Sequence, residues 1–204
     1  MSWNHVIHLG DLPLTMAAAA AMTVWMVCTG AWRLAFWWSL LFLLAIATVA
    51  ASKVAHIAWG MYALAPSFRA LSGHATGITA VAVVLCYLAS PRRAATPLGG
   101  IGAGLVLGAL MVLLLVVHQE HSFAEAAAGW AVGALAGIGA IRLAGRTPTG
   151  LPGSGWHRDW GWAWSAAVFV GTVMLFRELP IGYLMWRAAR LVARHASALA
   201  SASF

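Results

Sequence analysis

Two polar islands, Ser72-Gly73-His74-Ala75 and His118-Gln119-Glu120-His121-Ser122-Phe123-Ala124-Glu125, each open a long apolar run. Ionisable side chains at the start of a hydrophobic helix are costly in a bilayer, so they call for a functional explanation. The apolar runs themselves decide the fold. Six segments, near 12–31, 33–53, 72–90, 98–118, 122–143 and 162–179, approach the ~20 apolar residues that a helix needs to cross a bilayer. The expected architecture is all-α: one polytopic membrane helix bundle over 1–204, with about six transmembrane helices. A C-terminal amphipathic helix over about 181–200 follows, and the polar islands fall in a central region of about 50–140.

Composition agrees with this reading. Of 204 residues, 62% are hydrophobic and 8% charged, against roughly half and a quarter in soluble domains. Cys28 and Cys86 sit singly inside apolar runs, which excludes a disulfide framework or a cysteine zinc site. The net charge is +7, but the basic residues are scattered. Nucleic acid is therefore a poor partner, and the bilayer's anionic headgroups or a phosphorylated lipid are better ones. No Lys or Arg precedes Arg33, so the first apolar run lacks a signal peptide's basic start and is expected to be a retained membrane helix.

Asp11 followed by Pro13 reads as a capped helix start. Lys53 is expected to end the second helix, with a loop from 54 to 71 that holds His56, Trp59 and Arg69. Ser72 caps the third. Gly100, Gly104 and Gly108 in the fourth helix, and Gly129, Gly133 and Gly137 in the fifth, each form a smooth face. A turn of two or three residues around Gln119 and Glu120 is expected to join these two helices as a tight antiparallel hairpin. Trp32, Trp37, Trp38, Trp156, Trp160, Trp162 and Trp164 lie near expected helix ends, as an interfacial aromatic belt does. In the tail, Arg187, Arg190 and Arg194 oppose Leu184, Leu191 and Val192, the pattern of a helix lying on a membrane.

The islands contain the parts of a phosphoryl-transfer site: a nucleophile, a group to orient it, an acid, and donors for phosphoryl oxygens. His121 suits the nucleophile. Glu125, one turn on, is placed to hold its far ring nitrogen; Ser122 and Glu125 equally spell a capping box. His74, in the first turn after Ser72, suits the acid. The Ser72 hydroxyl and Gly73 amide lie at a helix N-terminus, which favours phosphate. Lys53 reads either as a phosphate-binding cation or as a side chain reaching for the interface. His118 reads as a substitute ligand, base or supporting partner, and it ranks behind His121 because no carboxylate follows it at four residues.

Lys53, then Ser72-Gly73-His74, then His121 with Glu125 and Gly129 resembles, in order and spacing, the type 2 phosphatidic acid phosphatase superfamily. That group includes membrane lipid phosphatases and vanadium haloperoxidases. The resemblance implies a phosphohistidine mechanism without metal or cofactor. His121 would attack phosphorus, Glu125 orient it and His74 act as acid, while Lys53, Ser72 and Gly73 hold the phosphate. The chain departs from the pattern where both motif arginines are expected: Gly60 and Met61 stand for Arg-Pro, and Leu114 and Leu115 for Ser-Arg. Arg69, three residues before Ser72, is the substitute at hand.

The function expected is therefore removal or transfer of phosphate from a lipid phosphate or pyrophosphate. The alternatives are a catalytically impaired member that binds lipid or a partner protein, and a small histidine-containing transporter. Arg33, Arg92, Arg93, Arg142, Arg146 and Arg158 fall on the side away from the islands. Lys53, Arg69, Arg177, Arg187, Arg190 and Arg194 fall on the islands' side. With Lys53 and Arg69 set aside as site residues, the positive-inside rule places the islands away from the cytoplasm, on the periplasmic face of a bacterial inner membrane. The sequence leaves oligomeric state open.

Overall fold

The computed structural model describes residues 10–59, 68–90, 98–145 and 156–202. The connections at 60–67, 91–97 and 146–155, and His5 and His8, lie outside them. The described residues form seven helices and no strand: α1 (Leu12–Cys28), α2 (Trp32–Trp59), α3 (Gly73–Ala89), α4 (Leu98–Val117), α5 (Phe123–Ala144), α6 (Trp156–Glu178) and α7 (Ile181–Ala202). The protein is an all-α membrane helix bundle.

The helices begin and end where local chemistry dictates. Pro13 sits in the first turn of α1, where its missing N–H costs nothing. Gly30, at φ 80°, turns the chain between α1 and α2. Ser72 caps α3 by accepting from the Ala75 N–H, and Ser122 with Glu125 closes a full capping box on α5. At the second helix the expectation fails. α2 runs on through Lys53 to Trp59, because Ala-Ser-Lys-Val-Ala-His-Ile-Ala has no Gly or Pro to stop it. His56 and Trp59 are thus helical, and Lys53 lies inside the last two turns.

The six expected spans also need revision. α2, α4 and α5, at 28, 20 and 22 residues, are long and apolar enough to cross a membrane. α1 and α3 are apolar, but at 17 residues each they reach only ~25 Å, short of a ~30 Å hydrocarbon core. α6 qualifies only together with α7, across a bend of 60° at Leu179-Pro180.

α3 is the central element, packed against α4, α5, α1 and α2. The glycine rows of α4 and α5 do not pack against one another; both receive α3. A Cβ on Gly104 would lie 2.4 Å from the Val83 Cα, and one on Gly108 2.4 Å from the Thr79 Oγ1. On the other side, a Cβ on Gly129 would lie 2.5 Å from the Ser72 carbonyl oxygen, and one on Gly133 2.4 Å from that of Thr76. At Gly104, Gly129 and Gly133 these are approaches to main chain, and at Gly108 to the Thr79 side chain, that leave no room for a Cβ. The turn between α4 and α5 is correspondingly longer than expected, His118–Ser122, with Gln119 at φ 59°.

The main core joins Met26, Leu34, Trp38, Phe42, Val83, Val84, Tyr87 and Ile141. Trp38 was expected in the interfacial belt. It is fully buried instead, and its indole N–H donates to the Ala19 carbonyl at 3.2 Å. Trp32, Trp160, Trp162 and Trp164 are exposed, as that belt requires. α6 packs along α1, and α7 against α2. On α7, the Arg190 guanidinium stacks 3.8 Å from the Trp186 ring centre, while Leu184, Leu191 and Val192 stay exposed.

Candidate functional site

Antiparallel packing gathers the start of α1, the end of α2, the start of α3 and the α4–α5 turn at one end of the bundle. These four places carry Asp11, Lys53, His74 and His121.

Glu125 is the hub. It is buried, and all its contacts are made by donors. Its Oε2 accepts from the Ser122 N–H at 3.1 Å and pairs with the His121 Nδ1 at 3.2 Å. Its Oε1 accepts from the Arg69 N–H at 2.7 Å. The capping box and the histidine-orienting contact, two competing readings of the sequence, therefore coexist on one oxygen. The Glu125 carbonyl also accepts from the Ser72 N–H at 3.2 Å, which ties the segment before α3 to the first turn of α5.

His121 lines an open cleft of about 450 Å³ together with Arg69, Ala70, Gln119, Glu120, Ser122 and Glu125. His74 lies outside that lining but beside His121, with ring centres 6.0 Å apart and planes inclined at 58°. His74 Nε2 pairs with the Asp11 Oδ1 at 2.8 Å. Asp11 was expected to cap α1, but its side chain makes no capping bond there. The signal for its other role was scarcity: it is one of five acidic residues in the chain, and such groups rarely enter a membrane protein without a partner.

The other expected residues divide. Lys53, half-buried, lies within electrostatic reach of both Glu125 and His121. Beside it Ser52, which the sequence did not single out, accepts from the Leu71 N–H at 3.1 Å and pins the segment before α3 to α2. Arg69 is exposed along the cleft. The Ser72 hydroxyl is fully buried in its capping bond to Ala75, so it braces α3 and does not line the cleft. Gly73 has room for a side chain, its nearest neighbour being Val49 at 3.5 Å. His118 is exposed and lies outside the cleft lining. Among the described residues, no three His, Cys, Asp or Glu side chains converge to hold a metal ion.

A protein of Klebsiella pneumoniae described as an uncharacterized 22.5 kDa protein in cps region is 32% identical to this chain over 163 residues. The match covers 79% of this chain and 77% of that one. The chain belongs to the family of that protein. No family model matches it, and no solved structure does.

In this family member the site holds two carboxylate–imidazole pairs that face one another. An Nδ1–H donated to Glu125 leaves the Nε2 lone pair of His121 free. Burial pushes the His121 pKa below the usual imidazole value, partly offset by the hydrogen bond and charge of Glu125; His74 and Lys53 push it further down. The neutral ring is thereby favoured at neutral pH. Main-chain donors, Arg69 and Lys53 supply positive potential nearby, and the cleft opens at an end of an otherwise apolar bundle.

Proposed function

We propose that the protein is a membrane enzyme that removes or transfers phosphate from a lipid phosphate or pyrophosphate through a phosphohistidine on His121. The observation that carries this reading is the pairing of a carboxylate-held His121, open to a cleft, with His74 at 6.0 Å. One bound phosphoryl group can lie at attack distance from His121, ~3–3.5 Å, while its bridging oxygen is within hydrogen-bond reach of His74, ~2.6–3.2 Å. Arg69 takes the place of the missing motif arginines as a phosphate ligand, beside Lys53 at the motif's lysine position. The Ser72 hydroxyl braces the helix that carries His74, and the start of that helix at Gly73 lends its positive dipole end.

The lipid assignment rests on where the cleft sits. A substrate with an apolar tail can remain in the bilayer while its headgroup enters from the bundle's end. The bacterial source of the relative, whose description places it in a cps region, supports a bacterial inner membrane, with the site facing the periplasm.

The test is phosphate release from a panel of lipid phosphates and pyrophosphates by purified protein in detergent with EDTA. Wild type is compared with His121→Ala and His74→Ala. Release that disappears in both variants is expected. No release from any lipid by folded wild type rejects the enzyme reading in favour of a lipid- or partner-binding protein.

A further inference from the structure

Asp11 has no place in the sequence pattern of the site, yet it makes one of the shortest polar contacts there, 2.8 Å from its Oδ1 to His74 Nε2. The approach is built into the main chain. Gly10 is buried directly against His74, and a Cβ at position 10 would lie 3.0 Å from the His74 Cβ and 3.3 Å from its Cδ2. The chain leading into α1 is thus pressed against the Cδ2–Nε2 edge of the imidazole. Nδ1 is the nitrogen left for a substrate. The neighbouring charged and titratable groups are His121 and Glu125 from the α4–α5 end and Lys53 from α2.

We propose that Asp11 is a positioning residue that fixes the orientation and tautomer of His74, so that this ring delivers a proton to a poor leaving group. This rests on the phosphohistidine reading. In the first step the His121 Nε2 lone pair forms the N–P bond. The P–O bond to the lipid breaks, its electron pair stays on that oxygen, and the oxygen takes the proton from His74 Nδ1. In the second step water attacks phosphorus and gives a proton back to His74 Nδ1 as the N–P bond breaks and phosphate leaves. Throughout, the Nε2–H stays on the Asp11 carboxylate, the orienting role of a third group in a catalytic triad.

The inference narrows the substrate class. A proton donor matters for an alkoxide, a strong base, and little for a phosphate or nitrophenolate leaving group, which departs as a stable anion. A purpose-held acid therefore points to alkyl phosphomonoesters over pyrophosphates.

The experiment compares two substrates on the same preparations of full-length protein: phosphatidic acid, with an alkoxide leaving group, and p-nitrophenyl phosphate. The rate constant compared is kcat/KM, which reports the steps up to loss of the leaving group and not the shared dephosphorylation. Asp11→Asn is expected to lose about 10²-fold in kcat/KM on phosphatidic acid, in the range for general acid catalysis, and to stay within a few-fold of wild type in kcat/KM on p-nitrophenyl phosphate. The ratio is insensitive to the folded fraction, since unfolded protein lowers both rates alike. Asp11→Glu is expected to recover part of the ratio. Equal losses on both substrates, or no loss on either, overturn the role of Asp11 and leave the phosphohistidine reading standing. Absence of His121-dependent turnover in wild type overturns both.

Discussion

The carboxylate of Glu125 and the main-chain N–H of Arg69 meet at 2.7 Å although 56 residues separate them in sequence. Through that bond the residue that orients His121 also anchors the segment that brings Arg69 to the cleft. Substituting Glu125 should therefore cost stability as well as activity. Glu125→Ala leaves the N–H groups of Arg69 and Ser122 without their acceptor, and ~1–3 kcal/mol per buried unpaired group is the usual cost. Chemical or thermal unfolding in detergent measures this, and a loss below ~1 kcal/mol contradicts the hub. Glu125→Gln keeps one acceptor oxygen and should fold better while still losing most turnover.

On the proposed phosphohistidine reading, the pH profile of turnover reports on His121. Its pKa is lowered by burial, so the neutral nucleophile persists to lower pH than an exposed imidazole would allow. The acidic limb of kcat/KM is expected below ~6.5, the unperturbed value. Because Glu125 raises the His121 pKa, Glu125→Gln should move that limb further to acid even as the rate falls. A limb that moves to higher pH in this variant would mean that another group titrates.

The glycine rows make a paired prediction. Gly133→Ala places a Cβ 2.4 Å from the Thr76 carbonyl and should destabilise by ~1–3 kcal/mol, as overpacking does. Gly102→Ala, on the same α4 helix as Gly104 but with open space beside it, should be neutral or stabilise by up to ~1 kcal/mol through helix propensity. Equal effects in unfolding assays would contradict the placement of α3 between the rows.

Two threonines on α3 separate in the same way. Thr76 Oγ1 donates to the Ser72 carbonyl at 2.8 Å and is 3.0 Å from that of Gly129. Thr79 Oγ1 is buried without a hydrogen-bond partner among the described residues. Thr76→Val is expected to cost ~1–3 kcal/mol, and Thr79→Val to be neutral or stabilising, as read from unfolding midpoints of the two variants.

Helix number and type were legible in the sequence because apolar runs and caps are local signals. Ser72 and Ser122 mark the starts of α3 and α5 as the sequence indicates. What was not legible depends on partners. A glycine row announces close packing but not which helix fills it, so α3 was missed as the common neighbour. Trp38 looks like Trp32 in sequence, yet one is fully buried and the other 63% exposed, since the helix turns them to different sides. At the site, His121 with Glu125 was readable from their four-residue spacing. Asp11 with His74 was not, because 63 residues separate them and a local role, the helix cap, already accounted for the aspartate.

The seat of the Ser72 carbonyl in the notch left by Gly129 has a further consequence. Ser72 is two residues from His74, and Gly129 is two turns from His121. The gap between the imidazoles is therefore set where main chain rests on main chain, with the Thr76 hydroxyl and the Ala75 Cβ seated beside the same notch. Such a gauge cannot drift by fractions of a turn, and it is indifferent to the Leu, Val and Ala residues that clothe the bundle. Substitutions on the lipid-facing surface should therefore leave the spacing of the two rings unchanged, so long as the notches at Gly129 and Gly133 stay empty.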